Sequence, residues 1–356
     1  MQKTRVAIAG LGEASRNIHI PAYRNLNELN LVGGYDILPE TSRQKWPFPV
    51  FQDLESLFRN TRPELLVIST PTAYHYEIAC EGLENGCHLL CEKPFTTTLK
   101  EANDLISRSE AMGLKIVVNN EFRFMNIYQE AKKRVGSNEF GELLFLHAHQ
   151  TFYTTPETES GWRGNDPQRT CKEFGIHVLD LCRFFFDEEP ELIQAAMPKP
   201  GKRKADYLNL IYLKFSAGKT AMICLDRLSR GRHRYLDLRL DGTESTIETE
   251  LGGSLELRAG IRSADRTPFI NLDVTPGAKA LQYIGERASR IATDPLNIFA
   301  NATRKLMQSF LENLSSPDLP VCSAQDNIKT LALMLAAYES SELQRPVDFF
   351  EQWKSL

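Results

Sequence analysis

Two stretches of the 356-residue chain carry side chains able to hold charge and move a proton. Cys91-Glu92-Lys93-Pro94 closes the apolar run His88 to Cys91 and sets one lysine between a carboxylate and a proline. Proline fixes its own φ and biases the preceding residue to an extended backbone, so Lys93 leaves its strand at a defined angle. Taken alone, such a lysine is more readily an ordinary surface residue at a strand end. The second stretch, Cys171 to Cys182, has helical apolar spacing at Ile176, Leu179 and Phe186. It sets Glu173, His177 and Asp180 at i, i+4 and i+7, on one helix face. Two carboxylates and an imidazole are costly to bury without partners, and Phe174, Phe184, Phe185 and Phe186 favour burial over a solvated face. Histidine is the side chain best placed to exchange a proton near neutral pH.

The elements that must position these residues change character near Asn120. Before it, Val6-Ala7-Ile8-Ala9 is a short apolar run without alternation, as in a strand buried on both faces of a parallel sheet. Gly10-Leu11-Gly12-Glu13-Ala14-Ser15 follows at once. Its glycines allow a tight turn and close approach to a pyrophosphate, which the next helix meets with its N-terminal N–H groups. Ser15 stands where a third glycine or alanine is usual, which predicts slightly looser helix-strand packing. A second strand, Leu31 to Asp36, ends in an acid placed to accept hydrogen bonds from an adenosine ribose; its charge repels a 2′-phosphate and so favours NAD, with NADP possible. Asp36 also suits a simple turn into Ile37-Leu38-Pro39. Leu65 to Thr70 forms a further strand, and Thr70-Pro71-Thr72 is its exit, at the carboxyl edge where doubly wound sheets bind ligands. An amphipathic stretch at Leu54 to Phe58, helices Tyr76 to Asn85 and Leu99 to Met112, and strand Lys115 to Asn119 complete an alternating β-α pattern. His75, at the start of the first of these helices, is a packing residue rather than a catalyst.

After Asn120, helix Ile127 to Val135 leads into alternating segments at Leu144 to Tyr153, Tyr207 to Phe215, Thr220 to Leu228, Tyr235 to Asp241 and Ser254 to Arg258. These predict a mostly antiparallel sheet with helices on one face. Ala259 to Pro295 shows little periodicity and is expected to be a long excursion, while Ser323 opens a helix Ala324 to Ser341 and Pro346-Val347-Asp348 is a short closing strand. The fold class is therefore α/β: a doubly wound parallel sheet of the Rossmann kind over residues 1–120, then an α+β domain with a large open antiparallel sheet over residues 121–356. One bare sheet face predicts a homodimer or homotetramer.

Bulk properties narrow the function. Hydrophobic residues at 42%, charged residues at 25% and a net charge of -4 describe an ordinary soluble protein, so nucleic acid is not an expected partner. The apolar segment Val6 to Leu11 is too short for a signal core or a membrane span, and no membrane partner is expected. Seven cysteines without framework spacing point to a reducing compartment, the cytoplasm. Cys80, Cys87 and Cys91 lack a CxxC pair and sit in apolar contexts, so they are core thiols and no metal is expected.

Gly10 and Gly12, Asp36, Thr70-Pro71, Glu92-Lys93-Pro94, Trp162-Arg163 and Glu173-x-Gly175-x-His177-x-x-Asp180, in this order, resemble the Gfo/Idh/MocA oxidoreductase family, which acts mainly on sugars and cyclitols. Ala336 to Ser341 and Pro346-Val347 resemble that family's closing helix and strand, so the resemblance covers nearly the whole chain. It implies an NAD(P)-dependent dehydrogenase with Lys93, His177 and Glu173 as catalytic residues, Glu173 standing where an aspartate is usual. Cofactor contacts are implied at Gly10, Gly12, Glu13, Ala14 and Asp36 from the first turn and second strand, and at Thr70, Pro71, His75, Glu92 and Lys93 from later strand exits. Trp162 and Arg163 complete that set. Substrate-facing or orienting roles fall to Lys93, Arg123, Glu173, His177 and Asp180. The glycine run typical just before the acid is replaced by Gln168-Arg169-Thr170-Cys171, so the substrate does not carry over.

The chemistry this suggests is hydride transfer between nicotinamide and a secondary carbinol of a sugar, cyclitol or nucleotide sugar, with His177 exchanging the hydroxyl proton and Lys93 stabilising the alkoxide. A basic cluster at Arg227, Arg230, Arg232, His233 and Arg234 suits either a diphosphate or a solvated hairpin edge. Two rival readings are an NAD-dependent glycoside hydrolase of the same fold and a non-catalytic dinucleotide-binding sensor.

Overall fold

The structure, a computed structural model, describes residues 3–38, 45–155, 166–199, 201, 204–261, 268–275 and 277–349. Among these, six short strands form a parallel sheet: β1 (Thr4–Ala9), β2 (Leu29–Tyr35), β3 (Val50–Phe51), β4 (Leu65–Ile68), β5 (His88–Cys91) and β6 (Ile116–Val118). Their spatial order is 3-2-1-4-5-6, the doubly wound arrangement whose order reverses beside β1 and β4. Every residue of β4 is buried, which is why the apolar run does not alternate. Helices cross between the strands: α1 (Ile20–Tyr23), α2 (Leu54–Thr61), α3 (His75–Glu84) and α4 (Leu99–Ala111). Asp53 caps α2 by accepting from the Ser56 N–H, and Thr98 with Glu101 forms a capping box on α4.

The first turn fits only glycine at its start. Gly10 has φ +88°, and a Cβ there would lie 2.6 Å from the Ser69 carbonyl oxygen. Ser15 does not loosen the packing as expected. It is fully buried and its hydroxyl donates to the Gly10 carbonyl at 2.6 Å, fastening the helix back onto the turn.

The larger sheet contains β7 (Leu143–Thr151), β8 (Leu192–Ala196), β9 (Leu208–Lys214), β10 (Thr220–Asp226), β11 (Arg234–Gly242) and β12 (Thr246–Leu251). It also takes in β15 (Ala278–Ile284), β16 (Arg287–Asp294) and β17 (Val347–Asp348), while β13 (Ser254–Ile261) and β14 (Pro268–Thr275) pair as a separate two-stranded ribbon. The nine strands described run in the order 16-15-12-11-7-10-9-8-17, antiparallel except where β7 meets β10. Helices α5 (Asn126–Arg134), α6 (Ile176–Phe186) and α8 (Ala324–Leu343) pack on this sheet. On the strand positions pointing the other way, Leu210 is 43% and Met222 42% exposed.

The structure departs from the sequence reading in four further places. The expected excursion over 259–295 is largely strand, and Ser254 to Arg258 belongs to the ribbon rather than the main sheet. The reason is chemical: β15 turns Lys279 inward to pair with Glu250 at 3.2 Å, and β16 is an exposed edge carrying Arg287 and Arg290, so neither shows apolar alternation. The segment opening at Cys171 begins with a π turn, Cys171–Gly175, before the α-helix starts at Ile176, which alters the register of Glu173 relative to His177 and Asp180. Finally, α7 (Ile298–Asn313), without any anticipated signal, returns from the far part of the chain to the first sheet. Its Ala300, Leu306, Met307 and Phe310 join Val6, Ile8, Leu65, Val67, Leu90 and Val117 in one apolar cluster. All seven cysteines are free thiols.

Candidate active site

Because the first six strands are parallel, their carboxyl ends share one edge, and hydrogen bonds carry the ladder past the last strand residues. Ser69 N–H donates to Ala9, Glu92 N–H to Ile68 and Asn119 N–H to Cys91, at 2.7–2.8 Å. Gly10, Ser69-Thr70, Glu92-Lys93 and Asn119 to Glu121 are thereby gathered in one row. His75, buried in α3, ties two of these exits together: Nε2 lies 2.9 Å from the Thr70 carbonyl and Nδ1 3.0 Å from that of Pro94. The Lys93-Pro94 bond is cis.

Lys93 reaches across to the other domain. Its Nζ donates to the backbone carbonyl of Glu173 at 2.8 Å, within the π turn that precedes α6. The Glu173 carboxylate is directed elsewhere, towards Arg169 Nε at 3.2 Å and Arg227 at 3.6 Å. The lysine is thus fixed by a neutral acceptor. Behind it, Glu92 accepts from Asn119 Nδ2 at 2.8 Å and bonds His19 Nε2 at 2.9 Å, while His19 Nδ1 lies 2.8 Å from the Tyr23 hydroxyl. Burial pushes the Glu92 carboxyl up, but His19, Lys93 and Asn119 together hold it below the usual carboxylate range. His19 reaches this position from a second π turn, Ser15–His19, that follows the glycines.

His177 is 4% exposed and its ring stacks on Phe122 with centroids 4.1 Å apart and planes 8° from parallel. Burial first, then the ammonium of Lys93, push its imidazole well below the ordinary value, against a weaker opposing pull from Glu92. The ring is therefore neutral near pH 7 and able to take up a proton. Phe174 meets the imidazole edge-on at 6.2 Å, and Phe122, Phe174, Tyr235 and Phe299 contact one another at ring separations of 5.3–6.0 Å.

Lys93 and His177 line one cavity of about 440 Å³, together with Glu92, Glu121 and the aromatic rings. A second, of about 360 Å³, runs along Gly12, Ser69 to Thr72, Pro94, Asp166 and Lys172. Glu13, Ala14, Glu92, Lys93 and Glu173 line both, so the two adjoin at the lysine. The second cavity fits a dinucleotide. A Cβ on Gly12 would meet no atom within 4 Å, and the hydroxyls of Ser69 and Thr70 are buried there without a protein partner.

The residues singled out in the sequence divide into two groups. Glu13, Ala14, Thr70, Pro71, Glu92, Lys93, Glu173 and His177 converge on the adjoining cavities. Gly10 shapes the turn from below, and Asp36, at the end of β2, accepts from the N–H groups of Leu11 and Leu38 at 2.9 Å. His75 sits behind the cavity wall against backbone carbonyls instead of facing the cofactor side. Arg123 and Asp180 do not reach the cavity, because they hold each other: Arg123 donates twice to Asp180, at 2.7 and 2.6 Å. Asp180 also accepts from Asn120 at 3.0 Å and Thr330 at 2.9 Å. Trp162 and Arg163 lie outside the described residues. Sequence reasoning passed over Glu121, His19 and Tyr235. Glu121 follows a strand exit at the carboxyl edge, which is the one signal that could have found it. In the basic cluster, Arg227 faces Glu173, Arg230 lies over the Tyr153 ring and Arg234 pairs with Asp237.

Asp180 is 1% exposed and balances Arg123 and, at 3.9 Å, Arg183. Asp180→Ala takes from the buried Arg123 both bonds that hold its Nε and Nη2, leaving Asp326 alone on it, and strips Asn120 and Thr330 of their shared acceptor; it is expected to cost about 3–5 kcal/mol of unfolding free energy. Urea denaturation checks this, and a loss below about 1 kcal/mol, the worth of a surface pair, contradicts it.

The chain matches two family models: "Oxidoreductase family, NAD-binding Rossmann fold" over residues 4–120 and "GFO/IDH/MocA C-terminal domain" over residues 128–248. Together they span well over half of the chain. It is 23% identical to D-apiose dehydrogenase of Paraburkholderia graminis, over 98% of this chain and 90% of that protein. It is 25% identical to the scyllo-inositol 2-dehydrogenase (NADP(+)) IolW of Bacillus subtilis, over 96% of this chain and 95% of that one. In fold it is similar to an oxidoreductase from Agrobacterium radiobacter solved with NAD+, L-tartaric acid and magnesium, with a TM-score of 0.82, 19% identity and coverage of 99% and 100% of the two chains. No described helix is long and apolar enough to cross a membrane. The chain belongs to the Gfo/Idh/MocA family of NAD(P)-dependent oxidoreductases, whose dinucleotide-binding and C-terminal domains it carries in order.

Proposed function

We propose that the protein oxidises a secondary hydroxyl of a sugar or cyclitol, or reduces the corresponding ketone, with Lys93 and His177 as its reacting side chains. The observation that carries this reading is their placement. A lysine from the nucleotide-binding domain and a neutral histidine from the other domain share one cavity, and the lysine also lines the adjoining cavity of the glycine turn. The bound nicotinamide supplies hydride exchange at carbon. His177 takes the hydroxyl proton in oxidation and returns it in reduction, and its lowered affinity for protons keeps it in the accepting form at neutral pH. Lys93, held by the Glu173 carbonyl, offers its ammonium to the developing alkoxide. Glu173 orients this pair through its backbone, while its carboxylate is occupied by arginines.

The substrate class is supported by the two near-full-length relatives, whose names specify D-apiose and scyllo-inositol, and by the aromatic walls, which suit the apolar faces of a polyol ring. Asp36 favours NAD over NADP, because its carboxylate stands at the end of β2, bonded to the glycine turn, where it repels a 2′-phosphate. Leu210 and Met222 on the open sheet face support a homodimer or homotetramer built on that surface.

Three outcomes test this reading. On a polyol that yields NADH, His177→Ala and Lys93→Ala each lower kcat at least ~100-fold with NAD affinity nearly intact, and retained turnover in both removes the assignment. Asp36→Ser narrows the preference for NAD over NADP at least ~10-fold by fluorescence titration; an unchanged ratio takes Asp36 out of cofactor choice. Met222→Asp shifts the particle to a smaller mass in light scattering, whereas a wild type that is already a monomer at micromolar concentration refutes the assembly.

A further inference from the structure

Glu121 has no part in the reaction as described above, yet it is 4% exposed and lines the same cavity as Lys93 and His177. It opens a short 3-10 turn, Glu121–Phe124, directly after β6 and Asn119-Asn120, so the parallel sheet brings it to the row of strand exits that holds Glu92 and Lys93. Its neighbour Phe122 forms the stacking partner of His177. The side-chain oxygen Oε2 is buried and has no hydrogen-bond partner in the protein. An orphaned carboxyl oxygen is costly in a closed interior and acquires a purpose where a ligand completes it.

We propose that Glu121 is a substrate-binding residue whose carboxyl group hydrogen-bonds a hydroxyl of the polyol held between Lys93 and His177. This deepens the dehydrogenase reading and rests on it. The groups facing Glu121 determine its state. Glu92 and Lys93 come from the β5 exit, His177 from α6 and Tyr235 from β11, while α7 presents the uncharged Phe299 and Ala300; Asp180 of α6 and the Cys322 thiol act on it from outside the cavity. Burial, then the negative charge of Glu92, push the carboxyl up to about 8, against the pull of Lys93. A carboxylic acid both donates and accepts, as a hydroxyl does, so the two are matched. An anionic sugar is disfavoured, because it would bring negative charge against Glu92, which lines the same cavity. The substrate class is thereby narrowed to uncharged polyols over uronates.

Infrared difference spectroscopy on the dinucleotide-bound protein tests this directly. At about pH 7 a carboxylic acid C=O band is expected that Glu121→Gln removes. Addition of at least one of scyllo-inositol, myo-inositol or D-glucose should shift that band, and D-glucuronate should leave it in place. Affinity for the responding polyol should fall as pH rises through about 8, and Glu121→Gln, which keeps a donor without titrating, should abolish that fall. Absence of the band, or a band unmoved by every polyol, overturns the proposal, as does a larger shift with D-glucuronate. NADH formation is followed in the same samples. Turnover with an unmoved band rejects the role of Glu121 alone, whereas a shifted band without turnover rejects the dehydrogenase reading and leaves the binding site standing.

Discussion

The bond from Lys93 Nζ to the Glu173 carbonyl is the constraint on which the site depends. A lysine side chain has four rotatable bonds and gives up about 2 kcal/mol of rotamer freedom when fixed. Something must hold it, and the nature of the holder decides what the lysine can do. A carboxylate would anchor it more firmly but would neutralise the field that acts on His177. A carbonyl oxygen anchors it and leaves the positive charge facing the cavity. The chain achieves this by drawing the Glu173 carboxylate away to Arg169 and Arg227, so that one residue offers two different oxygens to cations of different purpose.

That arrangement demands a stationary π turn, and the turn is anchored by Asp206. This buried carboxylate accepts from the N–H groups of Arg169, Thr170 and Cys171, three donors at the start of a helix that no preceding turn could satisfy. Tyr338 of α8 donates its hydroxyl to the same carboxylate and accepts from the Lys172 N–H. At the other side of α6, Asp180 grips Arg123, and Asp326 of α8 joins both Arg123 and Arg183 at 2.7–2.8 Å. The segment carrying His177 is therefore held at its start and in its middle by charged groups from distant parts of the chain. The residues around it need not move for the imidazole to be correctly placed.

Much of this was legible in order along the chain, because each early signal is local. The apolar run of β1, the glycines after it, the acid ending β2 and the lysine after β5 each follow from backbone rules acting over a few residues. What escaped was decided at a distance. The inward turn of Lys279 is explained only by Glu250 on a neighbouring strand. The π turn looks like ordinary helix in sequence, and Asp206, the carboxylate that anchors it, is remote along the chain. Asp180 and Arg123 carry the charge expected of substrate ligands, and only the pairing of two side chains 57 positions apart shows that they satisfy each other. Glu121 lacks any motif, and its chemistry arises from enclosure, which composition does not reveal.

The return of α7 to the first sheet has a consequence for how this protein can be rebuilt. The apolar surface formed by Val6, Ile8, Leu65, Val67, Leu90 and Val117 is roofed by Ala300, Leu306, Met307 and Phe310, from far along the chain. A cut near Asn120 would follow the apparent seam between domains and would strip that roof away. In a chimera designed to transplant a new cofactor half onto this substrate half, the helix from Ile298 to Asn313 has to travel with the cofactor half, although the chain lists it among the other. The unit of exchange is discontinuous, and recombination at a single junction would join a sheet to a roof made for another.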